Sequence, residues 1–317
     1  MACMVWRTWK HVSPPESGVV SWDDREKMKN AGNIPATLCR RKQNSGSHDK
    51  RSPGTLYTGR NVTSAYCLRY DWAGWPTKGT EFPPQIVAVA CATAPLWEQD
   101  GLRLLTPYAT TEKIQLLFSA TPQINPVFFC QRVKGRLQHA LRKAGAPVDF
   151  SRKVSFRSLG ENTLDVVEKY IRGQVGKEDF ADPRFREIMR QFTVVRDDGA
   201  LAEPSESNSG RYWYNLHLVL VAADRFRITA PERLKQIRDA TLAAAAGNHL
   251  IAALSVMPDH LHMALRGNIE RSPEEIAMAF QNDLARTAGC RVWQDGFYAG
   301  TFSEYDLDVI RRIAKQS

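Results

Sequence analysis

The chain has 317 residues, of which 43% are hydrophobic, and a formal net charge of +9. That length is comfortable for two ordinary domains. No apolar run is long enough to span a bilayer, and no secretory signal opens the chain, so a cytoplasmic protein is expected. The six scattered cysteines (Cys3, Cys39, Cys67, Cys91, Cys130, Cys290) form no Cys-x-x-Cys pair. This argues against a zinc ribbon or a disulfide framework and for reduced, buried thiols. The positive charge favours a polyanionic partner, a weak argument by itself.

Residues 1–63 are rich in Ser, Gly, Asn, Pro and basic side chains, with clusters at Arg40, Arg41, Lys42 and at Lys50, Arg51. They read as a largely irregular basic leader. An N-terminal half, residues 64–180, follows. Its pattern predicts a strand over Tyr66–Tyr70, a helix from Pro84 to about Glu98, strands between Arg103 and Ser119, and a helix from about Val127 to Ala144 closed by Gly145. Residues 181–210 read as a linker, because Asp197–Gly210 is polar and contains Pro204-Ser205-Glu206-Ser207-Asn208-Ser209-Gly210.

The C-terminal half, residues 211–317, repeats that order. A strand is predicted over Trp213–Ala222, a helix from Pro231 to about Ala246, a strand pair from Leu250 to Leu265, a helix from Pro273 to Ala288 stopped by Gly289, and a last helix from near Tyr305. Leu164–Ile171 lies over Leu307–Ala314 in a register that needs no gap back to Phe150 over Trp293. Arg142-Lys143-Ala144-Gly145 and Arg286-Thr287-Ala288-Gly289 add a second anchor. Both point to an internal duplication.

In Met257-Pro258-Asp259-His260-Leu261-His262-Met263, strand alternation puts His260 and His262 on one face with Ala264, and Leu261, Met263 and Leu265 on the other. Two imidazoles side by side suit one divalent metal. A bare His-x-His is more often a surface pair on an edge strand. Here Pro258 fixes the entry and Asp259 is placed to accept an imidazole N–H, which favours the functional reading. The remaining histidines, His11, His48, His139, His217 and His249, read as surface or packing residues.

Over Leu164–Val175, Leu164, Val167, Ile171 and Val175 form a buried helical stripe, and Tyr170 and Gln174 stand together on a neighbouring one. A lone helical tyrosine is usually a half-buried packing residue. Gln174 raises the alternative, as a neutral oxygen at the offset of a third metal ligand. Lys169 and Arg172 are candidate phosphate contacts, or simply a solvated helix face.

Together Val256–His262 and the run from Phe150 through Tyr170-Ile171-Arg172-Gly173-Gln174 resemble the single-tyrosine HUH transposases, the insertion-sequence-200-like and REP-associated tyrosine transposase superfamily. The resemblance covers both halves and omits the leader and linker. It implies an α+β fold of two tandem ferredoxin-like antiparallel sheet domains with packed helices. It implies cleavage and rejoining of single-stranded or hairpin DNA through a 5′-phosphotyrosine, at the cytoplasmic nucleoid. His260, His262 and Gln174 would then hold Mg²⁺ or Mn²⁺, and Tyr170 would be the nucleophile.

Family members are small homodimers in which one subunit's histidines work with the other's tyrosine helix, so this chain resembles a fused pseudo-dimer. Aligning the halves puts Lys113 and Gln115 at the histidine positions, and Ile313 and Ser317 opposite Tyr170 and Gln174. Lys113 when protonated cannot ligate a metal and Ile313 cannot attack, so one composite site is expected and a second should be dead. The alternatives are a DNA-binding protein that keeps the fold without the reaction, and a zinc hydrolase for which further ligands are not found.

Overall fold

The computed structural model describes residues 56–180, 182–196 and 199–304, all within one compact unit, Thr55–Ser317. The leader before residue 56 and the helix expected from Tyr305, with Ile313 and Ser317, lie outside the described residues.

The first half contributes β1 (Thr63–Cys67), β2 (Arg69–Gly74), α1 (Ile86–Gln99), β3 (Leu102–Ala109), β4 (Ile114–Ala120), α2 (Pro126–Lys143), β5 (Val154–Leu159), α3 (Leu164–Arg172) and α4 (Gln174–Lys177). After α5 (Pro183–Arg190), β6 (Thr193–Val195) and β7 (Ser205–Ser207) come β8 (Gly210–Trp213), β9 (Asn215–Ala222), α6 (Pro231–Ala245), β10 (Leu250–Val256), β11 (His260–Arg266), α7 (Pro273–Ala288) and β12 (Trp293–Thr301). Local chemistry sets the helix ends. Asn125 caps α2 by accepting from the Phe128 N–H at 2.8 Å, with Pro126 in the first turn. Ser272 and Glu275 form a reciprocal capping box on α7, which ends at Gly289 in the left-handed conformation at φ 71°.

Two six-stranded sheets result, ordered β1-β12-β9-β11-β10-β6 and β3-β4-β2-β5-β8-β7; we call them the histidine sheet and the counterpart sheet. Every neighbouring pair is antiparallel except β1–β12 and β5–β8, which are parallel. Those two exceptions exchange strands between the halves. Strand β1 runs into β2 of the counterpart sheet across the single residue Leu68, yet pairs with β12 of the histidine sheet; β8 runs into β9 across Tyr214, yet pairs with β5. In place of the tandem domains expected from the sequence, the halves share their sheets. The one strand expected over Tyr66–Tyr70 is split between them.

The segment expected as a linker is folded. Helix α5 lies within residues 181–210, β6 pairs with β10, and β7 pairs with β8. The leader also ends earlier than residue 63. The Tyr57 hydroxyl, fully buried, donates to the Trp293 carbonyl at 2.8 Å, and the Asn282 side chain accepts from the Leu56 and Tyr57 N–H groups. Among the described cysteines Cys130 is buried and Cys91 is exposed, so the expectation of buried thiols does not hold at Cys91.

One face of each sheet makes the main core. Tyr70, Trp72, Phe118, Phe129 and Phe156 fill it in the first half. Leu216, Leu218, Leu261, Met263 and Leu265 of the histidine sheet meet Ile276, Phe280 and Leu284 of α7. Burying each such side chain contributes about 1.5–3 kcal/mol. The other face of the histidine sheet carries a smaller cluster of Val167 and Ile171 from α3 with Ala252, Ala253, Ala264 and Phe302. Among the described residues no helix is long and apolar enough to cross a membrane.

Candidate active site

The cluster around Ile171 fixes a helix from the first half onto the sheet of the second. The chain leaves β5 at Gly160, where an added Cβ would lie 2.1 Å from the Thr301 carbonyl oxygen at the end of β12. Only a residue without a side chain permits that approach. The Thr301 hydroxyl donates to the Leu159 carbonyl and accepts from the Arg69 N–H at 2.9 Å. A few residues on, the Leu164 N–H donates to the Ser303 carbonyl at 2.8 Å, and Thr163 pairs with Ser303. Strand ends of both halves thus meet where α3 begins, and Thr163 caps it.

Helix α3 buries Val167 and Ile171 and leaves Lys169 and Arg172 exposed to solvent. Tyr170 is half-buried, its ring 5.4 Å from that of His262 and 6.0 Å from that of His217, edge-on to both. Gly173 interrupts the helix that the sequence predicts as continuous to Val175. Gln174 is buried, and its amide nitrogen donates to the Tyr170 carbonyl at 2.9 Å, which leaves Oε1 as its acceptor end. The Lys177 ammonium sits 3.8 Å from the centroid of the Tyr170 ring, within the range of a cation–π contact.

On β11, His260 and His262 are both buried, with ring centroids 4.9 Å apart and planes perpendicular. They face α3, while Leu261, Met263 and Leu265 enter the main core. The His260 Nδ1 lies 2.7 Å from Asp259 Oδ1, and Asp259 also receives Arg225 at 3.2 Å. Burial alone would raise the Asp259 carboxyl; the hydrogen bond from His260, with the charges of His260 and Arg225, holds it down at about 2. The His262 Nδ1 lies 3.1 Å from His217 Nε2, and the rings stack at 5.3 Å and 23°. Burial pushes His217 down to about 4, and it holds His262 well below the usual histidine value, with His260, His217 and Lys177 adding to the effect. Both are neutral near pH 7. The His262 Nε2 is buried and has no hydrogen-bond partner among the described residues.

Tyr170, His260 and His262, drawn from the two halves of the sequence, therefore stand together; Gln174 follows Tyr170 by one helical turn, and Lys169 and Arg172 are exposed on the same helix. Two residues in contact with this group are not visible in the sequence pattern. His217, which reads there as an ordinary surface or packing residue, lies on β9 opposite Ala264, two residues along from His262 on the same face. Parity across adjacent strands is the signal that finds it. Lys177 follows Tyr170 by two helical turns, on the far side of the break at Gly173.

In the counterpart sheet the β3–β4 hairpin has the register of β10–β11. The Thr110 N–H donates to the Lys113 carbonyl as the Met257 N–H does to His260, both at 2.8 Å. Tyr108 pairs with Gln115 as Ser255 does with His262. Lys113 and Gln115 thus occupy the positions of His260 and His262, as the alignment of the halves expects. Asp71, opposite Leu117 on β2, holds the position of His217.

Residues 211–316 match the family model described as Transposase IS200 like. The match spans the C-terminal third of the chain and is a likeness of that part to the family. It contains both histidines of β11, whereas Tyr170 lies outside it. No curated protein matches the chain. Among solved structures, a VAO-type flavoprotein from Myceliophthora thermophila C1 is similar over 70% of this chain and 37% of its own length, at 12% identity and a TM-score of 0.19. That likeness carries no argument.

Proposed function

We propose that the chain is a DNA transposase that cleaves and rejoins single-stranded or hairpin DNA at one composite site, and that it arose by duplication and fusion of a homodimer's subunits. The observation that carries this reading is the packing of the Tyr170 ring against His262, across the boundary between the halves. In the reaction the Tyr170 oxygen attacks a backbone phosphorus. The Tyr–O–P bond forms as the bond to the 3′ oxygen breaks, the phenol's proton ends on that 3′ oxygen, and a later 3′-hydroxyl reverses the step. The phosphotyrosine conserves the bond energy, so no nucleotide cofactor is needed.

A phenol with a reference pKa of about 10 is a poor nucleophile at neutral pH. Lys177, beside the ring, favours its charged form, and Lys169 and Arg172 give the DNA backbone a positive rim. His260, His262 and Gln174 are the residues that would hold Mg²⁺ or Mn²⁺. The fit rests on the buried, partnerless Nε2 of His262, on Asp259 behind His260, and on a donor set of imidazoles and amide oxygen. Among the described residues no group of three or more His, Cys, Asp or Glu could hold a metal ion, and the set proposed here adds an amide oxygen, that of Gln174, to the two imidazoles. When bound, such an ion supplies Lewis-acid polarisation of the phosphate.

Incubation of the full chain with hairpin oligonucleotides and Mn²⁺ should yield a denaturant-resistant protein–DNA adduct that Tyr170→Phe abolishes. An adduct at the wild-type level in that variant sinks the reading, and tight hairpin binding without any adduct would leave a DNA-binding protein of the same fold.

A further inference from the structure

We infer that His217 is a positioning residue that fixes the ring tautomer of His262, so that His262 Nε2 presents a lone pair to the site. The inference deepens the reading of His262 as a ligand and rests on it. A neutral imidazole carries one N–H, and the 3.1 Å contact between His262 Nδ1 and His217 Nε2 holds a single proton between two nitrogens. If His217 donates, His262 must carry its proton on Nε2, a buried donor with no acceptor and no capacity to ligate. If His262 donates, Nε2 is a lone pair aimed at the site.

Two further observations favour the second arrangement. First, the neighbouring ring is already set that way. Asp259 Oδ1 lies 2.7 Å from His260 Nδ1, and Arg225 donates to the same carboxyl group at 3.2 Å, so Asp259 accepts and His260 presents its N–H on Nδ1, which leaves Nε2 for the lone pair. With His262 donating to His217, both rings of β11 present the same nitrogen. Second, the counterpart sheet makes the same diagonal link with its direction fixed by chemistry. The Gln115 amide nitrogen donates to both oxygens of Asp71 at 3.0 Å, so the β2 residue accepts from the hairpin residue. His217 stands where Asp71 does. It is held there by its stack on His262 and by edge contacts with Tyr298 at 5.8 Å and Tyr170 at 6.0 Å.

The test uses the full chain labelled with ¹⁵N-histidine, metal-free, with His262 assigned by loss of its signals in His262→Gln. Long-range ¹H–¹⁵N spectra should show His262 in the Nδ1–H form. His217→Phe, which keeps an aromatic ring in the stack but offers no acceptor, should leave His262 as a mixture of tautomers. Titrated with Mn²⁺ alone, that variant should bind ~10- to 100-fold more weakly, the usual loss when an outer partner of a ligand is removed. His217→Gln, which retains an acceptor, should recover most of the affinity. An Nε2–H tautomer in the wild type, or wild-type Mn²⁺ affinity in His217→Phe, overturns the inference. If His217→Phe does not fold, the wild-type tautomer and the His217→Gln titration decide. If the wild type binds no Mn²⁺ at all, the proposed metal site fails, while the metal-free tautomer still decides whether His217 orients the ring.

Discussion

The β10–β11 and β3–β4 hairpins share a register, and each has a polar link to the strand beside it, but the two links end differently. Gln115 gives its amide hydrogens to the Asp71 carboxylate, and donor and acceptor satisfy each other. His262 meets His217 through one ring nitrogen and keeps the other, buried and without a hydrogen-bond partner. An amide paired with a carboxylate is a closed structural unit, whereas a ring with two nitrogens on opposite sides can be held by one and work with the other. One scaffold thus carries a link with a spare ring nitrogen in one sheet and a closed amide–carboxylate link in the other.

The largest effect should come from making the first hairpin resemble the second. His262→Gln keeps a polar side chain able to reach His217 but removes the second ring nitrogen. Mn²⁺ affinity and DNA adduct should fall by more than the ~10- to 100-fold expected from losing an outer partner. The reverse change, Lys113→His with Gln115→His, should leave the wild-type adduct yield unaltered, because the alignment of the halves puts Ile313, which cannot attack, opposite Tyr170. Adduct from a chain carrying both sets of changes would show that the comparison is misdrawn.

Next in size is the junction that brings α3 to the histidine sheet. A methyl group on Gly160 would meet the Thr301 carbonyl at 2.1 Å, with backbone on both sides and no flexible end to yield. Gly160→Ala should cost about 1–3 kcal/mol, the usual range for overpacking, read as a lower urea midpoint. Adduct yield should fall with it while the Gln115–Asp71 link persists. A variant of wild-type stability would mean that the strand ends part easily and that α3 is not held where the site needs it.

How much of this is legible in the chain follows from the range of the interactions. The helix from Pro273 to Ala288 carries its own signals in Ser272, Glu275 and Gly289, and the alternation around His260-Leu261-His262 states which residues share a face. The tyrosine and glutamine need only the 3.6-residue period. By contrast, β1 pairs in parallel with β12 across more than two hundred residues of chain, and no local pattern encodes that choice. Gly296 and Gly300 weaken the strand signal of β12 itself. Between residues 181 and 210, β6 is only three residues long, too short to announce itself, and pairs with the edge that β10 offers. His217 is hidden for the same reason, because its role depends on a strand partner.

A smaller effect separates the two links by their response to pH. Burial raises the Asp71 carboxyl from 3.8 to about 6, against the Gln115 hydrogen bond and the charges of Lys113 and Arg157. Its contribution to stability is complete below about pH 3.8 and is lost as pH rises through about 6. Burial lowers His217 from 6.5 to about 4, so its contribution is complete above pH 6.5 and is lost as pH falls through about 4. The two oppose each other between pH 4 and 6. Asp71→Asn removes the falling component, and stability should then rise more steeply across that window, by on the order of 1 kcal/mol per pH unit. Urea unfolding at three pH values measures it, and parallel curves for variant and wild type would show that Asp71 is not desolvated.

The smallest effect concerns the cation beside Tyr170. Lys177 is exposed and seven residues from Tyr170, so removing its charge should leave folding intact. Its ammonium lies 3.8 Å from the ring centroid, a contact of roughly 0.5–1 kcal/mol at an exposed site. If that energy stabilises the developing phenolate as the phosphate arrives, Lys177→Gln should slow adduct formation by about 2- to 5-fold. The loss should shrink as pH rises, because removing the proton from a phenol then costs less and the cation has less to contribute. A loss independent of pH would instead identify Lys177 as a contact to the DNA backbone, and the deficit should then shrink as salt is raised, because screening weakens that contact for the wild type as well.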